Sequence, residues 1–313
     1  MLPDITNPFF PALVREVQLC AHANGHIIIL CNTGGDPSVE HQYLEMLASR
    51  QIDGVVAIGF AGLTTELAGY TAGGMRIVFL DRHSGTLDYP VVQADHRTGG
   101  CLATGHLLKL GHTRIAHISG PPDLSAAADR YAGYRDALLA AGLEPKATLV
   151  ASGDFTEASG YRATLALLAQ REPFTALFAA NDLMALGAIA ALKTRGLAVP
   201  DELSVVGFDG LELGERSNPT LTTVRQPLRR LGRAVVDQLL ALVQGTGKSD
   251  PTVTLPVTLV ERGSTAPLCD KALTAIVQLR LRSDEPGLKR SRRISRGAPV
   301  CTHVPGPETI DGC

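Results

Sequence analysis

Short apolar runs rich in β-branched residues alternate along this chain with longer stretches that mix apolar and polar positions. The run at 55–58 (VVAI) is typical of a strand covered by helices on both faces. Such runs predict strands at 26–31, 54–58, 76–80, 91–93, 114–119, 176–179, 204–208 and 252–260. The mixed stretches predict helices at 8–24, 38–50, 98–110, 126–141, 156–170, 182–195 and 228–244, several of them ending at a glycine.

Regular alternation of strands and helices predicts an α/β fold with doubly wound parallel sheets. The pattern restarts near Thr98, after a first set of units in residues 1–93. Two half-chains of this size predict two similar lobes with a cleft between them. Because ligands of open parallel sheets bind at the carboxyl ends of the strands, we expect one enclosed pocket between the lobes.

Composition narrows the class of protein. The chain has 313 residues, 45% of them hydrophobic, which is enough for one large or two medium domains. Its net charge of −2 indicates no general attraction to nucleic acid or membrane. No apolar run reaches the ~18 residues of a spanning helix, and no signal pattern opens the chain, so we expect a cytoplasmic protein. The six cysteines lack metal-site spacing, which indicates reduced thiols and no metal.

The last 45 residues, 269–313, have a different composition. They are rich in Pro, Gly, Ser and Arg, and their 8 basic and 5 acidic residues make the segment about +3. We interpret residues 268–313 as a disordered tail. A nucleic-acid-binding arm is the alternative, weakened because no aromatic residue is interleaved with the basic run at 289–293.

Motifs for catalysis are missing from the sequence. It contains no nucleophile elbow, phosphate loop, zinc-protease motif or dinucleotide fingerprint. Asp81 and Asp209 are the nearest approach to a carboxylate pair. Such a pair could serve a glycosidase or could accept hydrogen bonds from a polyol, and the sequence does not separate the two.

Polar and aromatic residues instead follow the predicted strands. Asp81, Asn181 and Asp209 each come directly after an apolar run, and Phe155 lies in a turn. Arg130 lies early in the helix after the Ser119 loop. At the start of the chain, Asn7-Pro8 predicts a helix cap beside the ring pair Phe9-Phe10. These residues together predict a polar ring with aromatic walls, suited to a sugar or a heterocycle.

Six motifs give the chain a family likeness. They are 3–10 (PDITNPFF), 110–116 (LGHTRIA), 129–134 (DRYAGY), 180–187 (ANDLMALG), 199–209 (VPDELSVVGFD) and 219–224 (PTLTTV). Over about residues 2 to 268, the chain resembles the effector-binding core of LacI/GalR-type bacterial transcription regulators, relatives of the periplasmic sugar-binding proteins.

The resemblance implies an effector held between the lobes, without a cofactor or catalysis. Its implied contacts are Asn7, Phe9, Phe10, Asp81, Arg130, Phe155, Asn181 and Asp209. The segment 153–155 and the ending 259–264 look most like the ribose and purine repressor branch, which favours a sugar such as a pentose, or a purine-like molecule. The alternative is a periplasmic-type sugar-binding protein of a transport system.

The resemblance also implies a division of the chain. Residues 1–94 plus 225–251 would form the N-terminal lobe and residues 95–224 plus 252–267 the C-terminal lobe. The hinges would lie near 94–95, 223–224 and 251–252. A homodimer is implied by the family.

Such regulators begin with a helix-turn-helix of ~50–60 residues that contacts operator DNA. The sequence does not show it, and the first core strand is reduced to Met1-Leu2. We therefore interpret the chain as a fragment from a truncated or miscalled reading frame. The stretch 276–282 is a candidate to cover the gap left by that strand.

Overall fold

The computed structural model describes residues 1–50, 52–58, 64–81, 89–170, 172–246 and 251–269. The helices are α1 (Phe9–Ala23), α2 (Pro37–Ala48), α3 (Thr64–Ala72), α4 (His96–Lys109), α5 (Ser125–Ala140), α6 (Glu157–Ala169), α7 (Asp182–Thr194), α8 (Glu212–Arg216) and α9 (Leu228–Val243). The strands are β1 (Val55–Ile58), β2 (Ile77–Leu80), β3 (Val91–Ala94), β4 (Ile115–Ser119), β5 (Val150–Ser152), β6 (Ala176–Ala179), β7 (Ser204–Asp209), β8 (Thr222–Arg225), β9 (Thr252–Leu255) and β10 (Thr258–Val260).

The strands form two sheets, which define two lobes. The first sheet has the order β1-β2-β3-β9 and is parallel throughout. Helix α9 packs across all four of its strands and against α1. Strand β2 is fully buried, as expected for a strand covered on both faces.

The second sheet has the order β10-β8-β7-β6-β4-β5 and is parallel except for β10, which runs antiparallel to β8. Strands β6 and β7 are buried along their whole length. Helix pairs α4 with α5 and α6 with α7 pack beside this sheet. The predicted α/β fold class with two parallel-sheet lobes is confirmed.

The chain crosses between the lobes at positions that differ from the sequence expectation. The predicted strand 252–260 is two strands, because β9 pairs with β3 in the first sheet and β10 pairs with β8 in the second. Pro256 lies between them and has no N–H to continue a ladder. Assigning residues 252–255 to the second lobe was therefore wrong.

The middle crossover also shifts. The hinge was expected near 223–224, but Thr223 and Val224 lie inside β8, in register with Gly207 and Phe208 of β7. Arg225 still belongs to the second sheet, where it pairs with Asp209. The crossing begins at Gln226, immediately before α9.

The predicted strand at 26–31 was wrong, since no strand forms there in the described chain. The N–H of Leu2 donates to the Cys31 carbonyl and the N–H of Thr33 donates to the Leu2 carbonyl. Residues 27–30 therefore lack a ladder partner among the described residues, and Ile27 is 87% exposed. A strand needs a neighbour for its backbone groups, and apolar residues alone do not supply one.

Helices α4 and α5 pack closely against each other, and this contact positions the side chains on both helices. A Cβ added at Gly133 would lie 2.0 Å from the Arg97 carbonyl oxygen, and one added at Gly100 would lie 2.3 Å from the Arg130 carbonyl oxygen. Glycine is therefore required at both positions. The contact sets the position of Arg130 relative to the start of α4.

No helix of the described chain is long and apolar enough to cross a membrane. The predicted tail from 270 onward, the basic run at 289–293 and the stretch 276–282 lie outside the described residues.

Candidate functional site

A cavity of about 490 Å³ lies between the two lobes. All eight residues proposed from the sequence line it: Asn7, Phe9, Phe10, Asp81, Arg130, Phe155, Asn181 and Asp209. Four come from the first lobe and four from the second. They converge because the carboxyl ends of parallel strands meet at one edge of each sheet, and the two edges face each other.

The N-terminal segment supplies a ring pair to the first-lobe wall. The Oδ1 of Asn7 accepts a hydrogen bond from the N–H of Phe9 at 3.1 Å, which satisfies one free donor at the start of α1. The rings of Phe9 and Phe10 meet edge to face, with centroids 5.4 Å apart. Phe9 is buried and Phe10 is half-buried, so this pair forms an apolar wall with one ring more accessible.

Asp81 follows β2 in the first lobe and contacts a residue of the second. Its Oδ1 lies 2.8 Å from the Nε2 of His96, the first residue of α4. The Asp81 side chain is 18% exposed, whereas that of His96 is 2% exposed. Asp81 therefore faces the cavity with one side occupied by a buried imidazole.

Arg130 on α5 is the buried cation of the site. Its Nη1 donates to the Ala180 carbonyl at 2.5 Å and lies 3.5 Å from the Oδ1 of Asp209. Its guanidinium lies 3.8 Å from the centroid of the Phe208 ring, a cation–π contact. Burial lowers the pKa of Arg130, and the nearby carboxylates of Asp209 and Asp81 oppose that shift.

Asp209 ends β7 and is held by the middle crossover. Its Oδ1 accepts a hydrogen bond from the Nε2 of Gln226 at 2.8 Å, and its backbone carbonyl accepts from the Gln226 N–H at 3.1 Å. Burial raises the pKa of Asp209, while Arg130 and Gln226 lower it in part. Gln226 of the crossover thus holds the Asp209 carboxylate in place, and the carboxylate lines the cavity.

A second buried carboxyl, that of Asp182, interacts with Asp209. Asp182, the first residue of α7, is fully buried and accepts hydrogen bonds from the Thr223 hydroxyl at 2.5 Å and the Leu211 N–H at 2.7 Å. Burial raises the pKa of Asp182, and the charge of Asp209 raises it further. Asp182 does not line the cavity, and its link to the site is this electrostatic interaction with Asp209.

Asn181 and Phe155 form one unit of the second-lobe wall. The Oδ1 of Asn181 accepts from the N–H of Met184 and so caps α7, and its Nδ2 donates to the Phe155 carbonyl, both at 2.9 Å. The Phe155 ring packs on Gly120, where an added Cβ would lie 2.3 Å from the ring. The amide of Asn181 thereby fixes the turn that presents Phe155.

Backbone strain coincides with this cavity. Three non-glycine residues of the described chain have a positive φ: Asp81 at 62°, Phe155 at 67° and Asp209 at 115°. All three line the cavity. Positive φ is costly for residues other than glycine and tends to occur at functional sites. This supports the cavity as the functional site independently of its residue types.

Two residues beside the site were missed by sequence reasoning. Gln226 was not considered, and its Oε1 is buried without a partner in the described chain. His96 was not among the candidate residues, although it contacts both Asp81 and Arg130. Gln226 directly follows β8, and because that strand was not predicted from the sequence, the position of Gln226 gave no signal.

The charge of the lining is strongly acidic. Among the described lining residues, Asp4, Asp81, Asp154, Glu157 and Asp209 carry carboxylates and Arg130 carries the only cation. Carboxylates and amides accept hydrogen bonds from hydroxyl or amine hydrogens, and the phenyl rings can stack on an apolar face. The arrangement can hold a flat molecule rich in donors.

Comparison with known proteins identifies relatives over most of the chain. A model of the periplasmic binding protein-like domain matches residues 104–265. The chain is 35% identical over 268 residues to the ribose operon repressor of Halalkalibacterium halodurans, covering 85% of this chain and 78% of that protein. It is 32% identical over 272 residues to the HTH-type transcriptional repressor CytR of Escherichia coli, covering 86% of this chain and 79% of that protein.

Solved structures agree with these relatives. A LacI family transcriptional regulator from Enterococcus faecium, determined with bound ribose, superposes with a TM-score of 0.77 at 32% identity. The match covers 86% of this chain and 98% of that one. The relatives named here are transcriptional regulators, which favours a regulator core over a transport protein or an enzyme.

Proposed function

This chain belongs to the LacI family of transcriptional regulators, and from that premise we propose that its cavity binds a neutral, hydroxyl-rich effector such as a pentose. In this proposal Asp81 and Asp209 accept hydroxyl hydrogens, Asn7, Arg130 and Asn181 hold the remaining polar atoms, and the phenyl rings cover the apolar face.

The observation that supports the proposal most is the convergence of complementary groups from both lobes. Asp81 lies in the first lobe, whereas Arg130 and Asp209 lie in the second, and all three line one cavity. A ligand that contacts both sides binds the closed arrangement of the lobes better than an open one. A ligand shifts a conformational equilibrium by its difference in affinity for the two states.

The acidic lining restricts the chemistry of the effector. The described lining has five carboxylates against one guanidinium, which Asp209 already pairs, and this charge balance disfavours phosphorylated sugars and nucleotides. A neutral sugar or a nucleoside has no such penalty. Relatives in the comparison include a regulator with bound ribose, which supports a pentose as the first candidate.

Closure would rotate the lobes about the three crossovers at Asp95, at Gln226 and at Pro256. In a regulator that carries a helix-turn-helix, this rotation would change how two DNA-binding heads are presented to an operator. We propose a homodimer in the cytoplasm as the working form.

Titration calorimetry on the full chain tests the proposal directly. The panel is D-ribose, D-xylose, D-glucose, adenosine, hypoxanthine and ribose 5-phosphate. We expect heat with at least one neutral sugar or nucleoside and none with the phosphate ester. Absence of heat with every neutral ligand, in protein shown by circular dichroism to be folded, would contradict the proposal.

An assay for turnover tests whether Asp81 and Asp209 form the carboxylate pair of a glycosidase or only bind the sugar. A bound sugar recovered unchanged after prolonged incubation is the expected result, since the relatives are repressors. Size-exclusion chromatography with light scattering tests the dimer.

A further inference from the structure

A buried histidine joins the two lobes behind the cavity. The Nε2 of His96 lies 2.8 Å from the Oδ1 of Asp81, and the Nε of Arg130 donates to the Nδ1 of His96 at 3.2 Å. His96 does not line the cavity, yet both of its partners do. It therefore acts on any bound ligand through those partners.

The protonation pattern of this ring follows from its neighbours. The Nε of an arginine always carries a hydrogen, so the Nδ1 of His96 must be the acceptor in that contact. The Nε2 then carries the ring hydrogen and donates to the Asp81 carboxylate. The geometry thus fits a neutral imidazole in a single tautomer.

The surroundings hold the ring in place. His96 lies against the Phe208 ring, with centroids 5.8 Å apart, and Phe208 also supports the Arg130 guanidinium. Among the residues that the structure describes, three charged groups face the imidazole: Asp81 from the end of β2, Arg130 from α5 and Asp209 from the end of β7. His96 and Arg130 are further tied by the close packing of α4 on α5.

We propose that His96 is a positioning residue for effector binding, which as a neutral imidazole holds Asp81 of the first lobe in register with Arg130 of the second. The inference rests on the proposed function of the cavity. A proton on Nδ1 removes the acceptor for Arg130 and places a second cation beside it.

One consequence concerns the effector itself. Because the Asp81 Oδ1 already accepts the His96 hydrogen, the other oxygen of Asp81 is the one left to contact a ligand. That oxygen requires a donor from the ligand. His96 thus selects for a hydroxyl or amine at this point of the cavity and against a second acceptor.

Nitrogen-15 NMR of the ligand-free chain tests the tautomer without any effector. Assignment of the His96 ring uses the loss of its signals in the His96→Gln variant. At pH 7.5 we expect Nδ1 to be unprotonated and Nε2 to carry the hydrogen. A protonated Nδ1 at this pH, in either the neutral or the charged ring, overturns the inference.

Calorimetry with D-ribose, or with the sugar of the panel that gives the largest heat with the wild-type chain, tests the positioning role. His96→Leu removes both hydrogen bonds and is expected to weaken binding by about 10- to 100-fold. His96→Gln supplies an amide oxygen for Arg130 and an amide hydrogen for Asp81, and should restore binding to within about 5-fold.

His106→Leu is the matched control, since His106 is also a buried histidine on α4 but its Nε2 contacts Thr265, away from the cavity. It should bind like the wild type. Recovery of binding in His96→Gln, compared with its loss in His96→Leu, is the readout that a merely structural role would not give, because both variants remove the imidazole.

The two proposals fail in different ways. If no sugar or nucleoside binds the wild type, the proposed function fails and the NMR result still decides the state of His96. If the wild type binds and His96→Leu binds equally well, or if His96→Gln binds no better than His96→Leu, the inference about His96 fails alone.

Discussion

The guanidinium Nη1 of Arg130 lies 3.5 Å from the Oδ1 of Asp209, and the side chain of each residue is 5% exposed. Neither charge reaches bulk solvent, so each depends on the other and on nearby polar groups. Ala180 and His96 share the guanidinium, and Gln226 shares the carboxylate. A buried pair of this kind is costly to break from one side, because the remaining charge has no compensation.

Asp209→Ala is therefore expected to weaken effector binding by about 2–4 kcal/mol, because it removes an acceptor and leaves Arg130 without its carboxylate. The measurement is calorimetry with the best neutral ligand of the panel. Asp136→Ala is the control, since Asp136 pairs with Arg97 at an exposed site outside the cavity. Equal losses in both variants would mean that Asp209 has no specific role.

Asp182 predicts a pH effect on stability. Its pKa is raised in the folded chain by burial and by Asp209, so the folded state binds its proton more tightly than the unfolded state does. The contribution is therefore fully present below the unfolded pKa near ~4 and is lost as the pH rises through the raised pKa.

Asp182→Asn should flatten the decline in unfolding free energy above about pH 4. An asparagine amide can accept from Leu211 and donate to the Thr223 hydroxyl, so the contacts survive without the charge. Urea denaturation at several pH values gives the comparison. A slope identical to that of the wild type would contradict the assignment.

His117 predicts the opposite dependence in acid. The ring is fully buried, its Nδ1 lies 2.9 Å from the Phe178 carbonyl, and its Nε2 has no partner in the described chain. Burial lowers the pKa of His117 to about 3. Its contribution to stability is fully present above the unfolded pKa of ~6.5 and is lost as the pH falls toward 3.

As the pH falls from about 6.5 to about 4, the contribution of His117 to the unfolding free energy should decrease by about 3 kcal/mol. His117→Phe keeps a ring among Tyr131, Tyr134 and Phe178 but cannot ionise, so its acid limb should be shallower. His22→Gln, at an exposed histidine, should leave the limb unchanged. Chemical denaturation across this pH range is the measurement.

Gly133→Ala tests the contact between α4 and α5. Its Cβ would lie 2.0 Å from the Arg97 carbonyl oxygen, so the helices must separate, and a loss of about 2–3 kcal/mol is expected. Gly105→Ala, on the partner helix α4, meets nothing within 4 Å and should be neutral or stabilising by up to ~1 kcal/mol. Thermal denaturation compares the two, and a destabilised Gly105→Ala would show that helix propensity does not explain the result.

The sequence predicted the residues of the site more completely than it predicted the helices and strands. The residues after predicted strands converge on one cavity because topology, which strand–helix alternation reveals, decides where strand ends meet. Helices α3 and α8 and strands β5 and β8 were missed. Strand β8 has the sequence TTVR, too short and polar to stand out from a crossover.

Features that depend on contacts between residues distant along the chain could not be predicted from the sequence. The apolar stretch 26–31 reads as a strand, but pairing decides the outcome, and Leu2 gives it little to pair with. The roles of His96 and Gln226 likewise arise from contacts with residues distant along the chain, such as Arg130 and Asp209. Residue type alone gave no reason to prefer His96 over the other histidines.

The two hydrogen bonds from Gln226 to Asp209 make the middle crossover part of the receptor. In the proposed closure, the backbone that twists when the lobes rotate is attached to the carboxylate proposed to bind the ligand. Ligand contact at Asp209 would therefore be coupled directly to the backbone torsion angles at Gln226. No residues further along the chain would be needed to convert binding into a change in the angle between the lobes.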